Sequence, residues 1–303
     1  MVCLPNAESV DAIGDLGAGV EILVWDATGT PPPGFDRVEF WVPPYMTSAP
    51  DPVSIAAGTG LRVIQLLSAG VEPWLDRVPV GVTLCSGRGI HGGSTAELAV
   101  AGLLAVWREL PRFLDAQRER RWDPWPRTAS LDGARVLVLG AGDIGSRVAA
   151  ALAVFDADVT VVARRARDGV RTFDDVPALL PQQQAVVVCV PHTPQTHHLV
   201  DAAFLAALPD AAVLVNVARG QLVDTDALLA ELESGRLRAF LDVTDPEPPP
   251  AEHRLWGAPN LLLTPHVGGG TTGWDRRAYR LAGDQAHRYL AGEPLRNVVD
   301  AGY

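Results

Sequence analysis

Val136-Leu137-Val138-Leu139-Gly140-Ala141-Gly142-Asp143-Ile144-Gly145-Ser146-Arg147-Val148-Ala149 reads as a buried apolar strand, a tight glycine turn and the start of a helix. The three glycines differ in what they allow. Gly140 permits the sharp turn, Gly142 lets the backbone approach a phosphate, and Gly145 lets helix and strand pack closely. The helix start adds free N–H groups and a partial positive charge, which suit an anion. A second apolar run, Asp158-Val159-Thr160-Val161-Val162-Ala163, completes a strand–helix–strand unit. Its length, about 30 residues, is that of a dinucleotide-binding unit, so Gly140, Gly142, Asp143, Ile144 and Gly145 are expected to bind the cofactor pyrophosphate.

The end of the second strand bears on which dinucleotide. A site selective for NAD places Asp or Glu there for the ribose hydroxyls. This chain has Arg164 and Arg165, with Arg167 close behind. Guanidinium groups bind the extra phosphate of NADP through charge-assisted hydrogen bonds, whereas an acid repels it. NADP is therefore preferred over NAD, with a solvated basic turn as the other reading of the same residues.

Composition narrows the classes. The chain has 303 residues, of which 48% are hydrophobic and 20% charged, enough for two ordinary domains. A net charge of -11 disfavours a nucleic-acid groove or an anionic membrane surface. Cys3, Cys85 and Cys189 stand in apolar settings, without metal-ligand spacing, and point to a reducing compartment. Neither an export signal nor a run long enough to span a bilayer is apparent, so a cytoplasmic protein is expected. The sequence contains no lysine, which removes Schiff-base chemistry and P-loop phosphate transfer.

Short apolar runs at 21–25, 38–42, 62–67 and 80–84, with a helical pattern at 54–60, suggest a small α/β unit. Gly17-Ala18-Gly19 precedes its strand and is a decoy for a phosphate turn. One long apolar helix is expected from Ser94-Thr95-Ala96-Glu97 to about Gln117, with Pro124 and Pro126 breaking the pattern afterwards. Strands then recur at 185–190, 212–217, 238–243 and 261–264, implying a parallel, doubly wound sheet. A final helix over 274–290 leads to Asn297-Val298-Val299, a tail expected to pack back on the first domain.

Arg219, Glu247 and His266 follow strands on the cofactor half, where ligands of such sheets bind. Arginine can clamp a carboxylate bidentately, and histidine can exchange a proton with a carbonyl or hydroxyl oxygen near neutral pH. Glu247 lies in the proline-stiffened Asp242-Val243-Thr244-Asp245-Pro246-Glu247-Pro248 and could hold its carboxylate against the imidazole. Taken singly, the three read as a solvated Arg, a structural His and a solvent-facing acid.

Together these blocks resemble the D-isomer-specific 2-hydroxyacid dehydrogenases from about Ser68 onward. The ordered set is Gly140-Ala141-Gly142-Asp143-Ile144-Gly145, Asn216-Val217-Ala218-Arg219-Gly220-Gln221-Leu222-Val223-Asp224, Asp242-Val243 with Glu247-Pro248, and Thr264-Pro265-His266. The resemblance implies that Arg219 binds and polarises a 2-oxo acid, that His266 is the general acid/base and that Glu247 orients it. It also implies that Val190, Pro191, Thr196, Val217, Ala218 and Gly268 line the cofactor, and that Asp242 contacts the nicotinamide carboxamide. In the first domain Ser68, Ala69 and Gly70 look like the loop whose N–H groups hold the substrate carboxylate. The implied fold is α/β: a doubly wound Rossmann cofactor domain over 94–270 and a smaller flavodoxin-like substrate domain from 1–93 and 271–303.

An NADP(H)-preferring reductase of small 2-oxo acids such as glyoxylate or hydroxypyruvate is the leading expectation. A homodimer is expected with it, because relatives associate through the cofactor domain and the apolar helix carrying Leu98, Leu103, Leu104 and Trp107 offers surplus surface. His192 departs from the apolar residue frequent in relatives and either touches the cofactor or is exposed. Formate dehydrogenases are similar but carry Gln where Glu247 stands, and phosphite dehydrogenases rely on a Lys absent here. A dinucleotide-sensing scaffold of the same fold is the alternative from another class.

Overall fold

The computed structural model describes residues 1–45, 55, 57–124 and 127–299. The chain divides into two compact units, Met1–His91 with Gly270–Tyr303 and Gly92–Gly269. Each is built on one parallel sheet flanked by helices.

The second unit carries seven strands: β6 (Arg135–Leu139), β7 (Asp158–Ala163), β8 (Val170–Thr172), β9 (Ala185–Val188), β10 (Val213–Asn216), β11 (Arg238–Leu241) and β12 (Leu261–Leu263). Their order is β12-β11-β10-β9-β6-β7-β8, all pairs parallel. The order reverses between β6 and β9, the switch point at which doubly wound sheets bind ligands beyond their strand ends. Alternation along β6 explains the unbroken apolar run: Leu137 and Leu139 join one core with Leu228 and Leu232, while Val136 and Val138 join another with Leu103, Val148 and Phe240. Both faces of the sheet are covered, so both sets of side chains are apolar.

The first unit has β1 (Val2–Leu4), β2 (Ile22–Val24), β3 (Phe40–Trp41), β4 (Val63–Gln65) and β5 (Thr83–Cys85) in the order β2-β1-β3-β4-β5. This is the flavodoxin-like order. One face packs Leu4, Phe40 and Val63 against Ala278, Ala282 and Ala286 of a C-terminal helix, Trp274–Leu290. On the other, Trp41 meets Trp25, Phe35 and Trp74 with ring centroids 5.4, 5.5 and 5.8 Å away. The tail after the helix lies antiparallel to β5, with Val299 N–H donating to Leu84 O at 2.9 Å.

Several expectations change. The single helix expected over about 94–117 is two, α2 (Gly92–Trp107) and α3 (Leu110–Arg118), following α1 (Ala7–Ile13) of the first unit. Glu109 between them is left-handed, φ 56°, and Pro111 enters the first turn of α3 without an N–H to extend α2. The Glu109 carboxylate is paired with Arg238 at the start of β11, so the break is fixed by a tertiary contact that periodicity does not reveal. The strand expected at 80–84 starts only at Thr83, because Pro79, fully exposed Val80 and left-handed Gly81 form a turn. β1 and β8, three residues each, went unrecognised in the sequence. Of the helical pattern at 54–60, residues 54 and 56 lie outside the described residues, as do Pro126, 46–48 and 300–303.

Candidate active site

At the glycine turn the backbone leaves no room where packing demands none. Gly140 has φ +111°, and a Cβ there would stand 2.5 Å from Cys189 O. A Cβ on Gly145 would run into the carbonyl of Gly140, whereas one on Gly142 would meet nothing within 4 Å. Gly140 and Gly145 thus seat the helix on the strand, and Gly142 keeps the approach open. The helix that follows, α4 (Asp143–Ala153), has no side-chain cap on its first turn, leaving N–H groups and the positive dipole end for an anion. These features fit a dinucleotide pyrophosphate.

The surrounding cofactor candidates divide in role. The Asp143 carboxylate accepts from Arg147 Nε at 2.9 Å and packs against the backbone of Gly92, so only its main chain is left for a phosphate. Ile144 packs into the core between α4 and the sheet. Arg164 and Arg165 are exposed just beyond β7, and Arg167 Nη2 donates to Ala141 O in the glycine turn at 2.6 Å. Val190, Val217 and Ala218 are buried at strand ends. Pro191 O accepts from Thr196 Oγ1 at 2.7 Å, and Thr193 N–H donates to that hydroxyl at 2.8 Å, so Thr196 staples the loop after β9. His192 is half-buried, with Nε2 3.3 Å from His197 Nδ1.

Arg219 follows β10 in extended conformation. Buried Asn216 fixes the turn: its Oδ1 accepts from Ala218 N at 3.1 Å, and its Nδ2 donates to Arg219 O at 2.8 Å. Arg219 Nη1 donates to Ala218 O at 2.7 Å. Gly220 then brings this turn against the loop after β11 so closely that a Cβ would be 2.6 Å from Asp245 N and nearer still to the Thr244 carbonyl. Thr225 Oγ1, donating to Asp245 O at 2.9 Å, adds a second tie.

That second loop carries Glu247, whose Oε1 lies 2.6 Å from His266 Nδ1, both side chains about one-third exposed. A carboxylate only accepts, so Nδ1 bears the proton and Nε2 is left to exchange one with a ligand. Burial pushes the Glu247 carboxyl up, but the hydrogen bond and charge of His266, Thr244 N–H and the charge of Arg219 outweigh it and hold the group below its ordinary value. His266 itself is left-handed, φ 54°, with its N–H donating to Asp242 O at 2.7 Å. Buried Asp242 anchors the segment: Thr264 Oγ1 (2.6 Å), Val267 N (2.9 Å) and Gly268 N (2.9 Å) all donate to its carboxylate. A carboxylate offers about four acceptor directions, so one remains for a further donor.

The loop after β4 in the first unit is polarised. Ser68 O accepts from Gly87 N at 2.6 Å and Gly70 O accepts from Ser68 Oγ at 2.7 Å. Among the described residues, the N–H groups of Ser68 and Gly70 donate to no group of the chain. Two carbonyls of this loop, those of Ser68 and Gly70, are thus engaged within the unit.

The second unit therefore brings Arg219, Glu247 and His266 to the ends of neighbouring strands β10, β11 and β12. Sequence reasoning missed the parts that hold them. Asn216 and Thr264 were readable as polar residues ending apolar runs, and Gly220 as the glycine behind the arginine; the partner of each lies 20 or more residues away or in the turn itself.

Residues 100–268 match the family described as D-isomer specific 2-hydroxyacid dehydrogenase, NAD binding domain. This chain belongs to that family. Glyoxylate/hydroxypyruvate reductase A of Escherichia fergusonii is 32% identical over 264 residues, 82% of this chain and 83% of the relative. Human glyoxylate reductase/hydroxypyruvate reductase is 31% identical over 253 residues, 79% and 77% of the two chains. A D-isomer specific 2-hydroxyacid dehydrogenase from Xanthobacter autotrophicus Py2, solved with NADPH and MES, superposes with a TM-score of 0.86 at 31% identity, covering 100% of this chain and 98% of that one. The chain is accordingly an NAD(P)-dependent oxidoreductase with a Rossmann cofactor domain, acting on small 2-hydroxy or 2-oxo acids. No helix among the described residues is long and apolar enough to cross a membrane.

Proposed function

We propose that this chain is an NADP(H)-preferring reductase of small 2-oxo acids of the glyoxylate and hydroxypyruvate type. The observation that carries the reading is the 2.6 Å His266–Glu247 contact beside Arg219, at the strand ends next to an open glycine turn. Gly140, Gly142 and Gly145, with the first turn of α4, would hold the pyrophosphate, and Asp242 would take the carboxamide with its remaining acceptor direction. Val190, Pro191, Val217, Ala218 and Gly268 would line the cofactor, with Thr196 shaping their loop. When bound, the reduced nicotinamide supplies the hydride that goes to the second carbon of the substrate.

The chain's own residues do the rest. Arg219 clamps the carboxylate and polarises the carbonyl, stabilising negative charge as it develops on oxygen. His266 gives the proton on Nε2 to that oxygen, producing the hydroxyl, and Glu247 holds the imidazolium that must form beforehand. In the loop of Ser68, Ala69 and Gly70, the N–H groups of Ser68 and Gly70 would meet the carboxylate, with residues 1–93 and 271–303 as the substrate domain and 94–270 as the cofactor domain.

Preference for NADP is supported by Arg164 and Arg165 directly after β7, ahead of the first acid, Asp168, with Arg167 resting on the glycine turn. The homodimer has different support from that expected. Leu103 and Trp107 of α2 are buried in their own unit and Leu98 and Leu104 pack against the same core, so α2 has little surface to spare. Exposed apolar side chains instead follow it: Leu110 (47%), Leu114 (51%) and Trp122 (92%). Light scattering tests the dimer, and a monomer at micromolar concentration rejects it. For the activity, a panel of 2-oxo acids is screened with NADPH and NADH. Turnover of glyoxylate or hydroxypyruvate, faster with NADPH, supports the proposal, whereas no turnover of any small 2-oxo acid defeats it and favours a scaffold.

A further inference from the structure

The residue just before the chain passes into the second unit has a role outside the three-residue site. His91 is buried, and its ring Nε2 lies 3.0 Å from Leu67 O. A carbonyl can only accept, so Nε2 carries the proton and donates it. The ring stacks on Tyr45, 4.9 Å away at 27° between planes, and Trp274 lies tilted beside it at 5.9 Å and 30°. Gly87 closes on the same carbonyl, near enough that a Cβ would stand 2.7 Å from the oxygen. Leu66 O, one peptide earlier, is held by Gln65 Nε2 at 2.8 Å, and Gln65 is in turn held by Gln285 Nε2 at 2.9 Å.

In a trans peptide the N–H of one residue points opposite to the C=O of the residue before it. Fixing Leu67 O inward therefore fixes the Ser68 N–H outward. We propose that His91 is a positioning residue for substrate: its Nε2–H pins Leu67 O and thereby aims the Ser68 N–H at the substrate carboxylate. The proposal rests on the reading of 68–70 as the carboxylate loop. In this arrangement His91 acts through backbone geometry. Sequence reading passed it over, although a histidine between a strand end and a helix start, Ile90-His91-Gly92, was a visible signal.

Three variants of the full-length protein test this with glyoxylate and NADPH. His91→Phe keeps a ring in the stack and loses the donor; His91→Gln keeps an amide N–H at the reach of Nε2; Gly70→Pro deletes one loop N–H. Loss of a bond to a buried acceptor predicts a KM for glyoxylate raised roughly 10-fold in His91→Phe, with kcat within about threefold and NADPH affinity unchanged. His91→Gln returns KM to within about threefold of the parent. Should His91→Phe fail to fold, His91→Asn, too short to reach Leu67 O, supplies the same contrast with Gln. An unchanged KM in the donor-less variant, or an equal rise in it and in His91→Gln, overturns the proposal while a raised KM in Gly70→Pro keeps the loop reading. An unchanged KM in Gly70→Pro overturns the loop reading and the proposal together.

Discussion

Gly220→Ala is expected to disable the site without touching any group that meets substrate. The added Cβ would lie 2.6 Å from Asp245 N, where ordinary contact begins at 3.4 Å, and the Thr244 carbonyl is closer still. Both neighbours are backbone, so the turn bearing Arg219 and the loop bearing Glu247 must part by at least about 0.8 Å. Displacements near 1 Å in a catalytic arrangement cost on the order of 100-fold in rate. Forcing a methyl group into packed backbone also costs about 1–3 kcal/mol of stability. Steady-state kinetics with glyoxylate and NADPH, alongside cofactor binding by fluorescence, should show kcat reduced roughly 100-fold at nearly unchanged NADPH affinity. The pyrophosphate would be held by the glycine turn in a different loop, so the loss of affinity stays small although Ala218, on the displaced turn, would line the cofactor. A Gly220→Ala protein with kcat within threefold of the parent would refute the idea that close contact between these two loops sets the alignment of Arg219 and Glu247.

Glu247→Gln removes a carboxylate that is held ionised below its ordinary value, so the change is felt across the neutral range. Without that carboxylate the His266 ring loses the acceptor that fixes its tautomer and orientation, so kcat should fall; full activity of the variant rejects the pairing. For the same group, a lowered folded-state value means that its share of stability is present above the ordinary carboxyl value and lost as pH falls through the lowered one, as acid titration of the melting temperature would record. Arg219→Ala should raise KM and lower kcat together, since one guanidinium serves both the bound carboxylate and the developing oxyanion; a change in only one constant goes against the double role. Arg164→Asp should shift the NADPH-to-NADH ratio of kcat/KM by about 10- to 100-fold toward NADH, the worth of one charge-assisted phosphate contact. A ratio that stays put assigns Arg164 to a solvated turn.

The parts of the fold legible in the sequence were those with long or punctuated patterns. β6 and the glycine turn announce themselves because both faces of β6 are buried and a helix must start at once beyond Gly142. β1 was illegible for the opposite reason: three residues, Val2–Leu4, give no period to count, although they form a central strand of their sheet. The break at Glu109 is hidden because apolar residues continue through it, and what sets it is an ion pair with Arg238 more than a hundred residues on. In the site, Arg219, Glu247 and His266 could be picked out as polar residues after apolar strands. Their supports were visible as residues but not as supports, because Gly220 matters through its distance to Thr244 and Asp245, and His91 through the direction of one carbonyl. Such roles depend on which backbone atoms meet across the fold, and residue type alone does not carry that information.

In the proposed reaction His266 delivers the proton to the substrate oxygen, and His266→Ala tests this most directly. Turnover of glyoxylate by NADPH is measured in parent and variant, with NADPH affinity determined in both. The expected result is a fall in kcat of about 100- to 10,000-fold, the usual worth of a general acid, with cofactor affinity unchanged. Turnover by His266→Ala at the rate of the parent would contradict it.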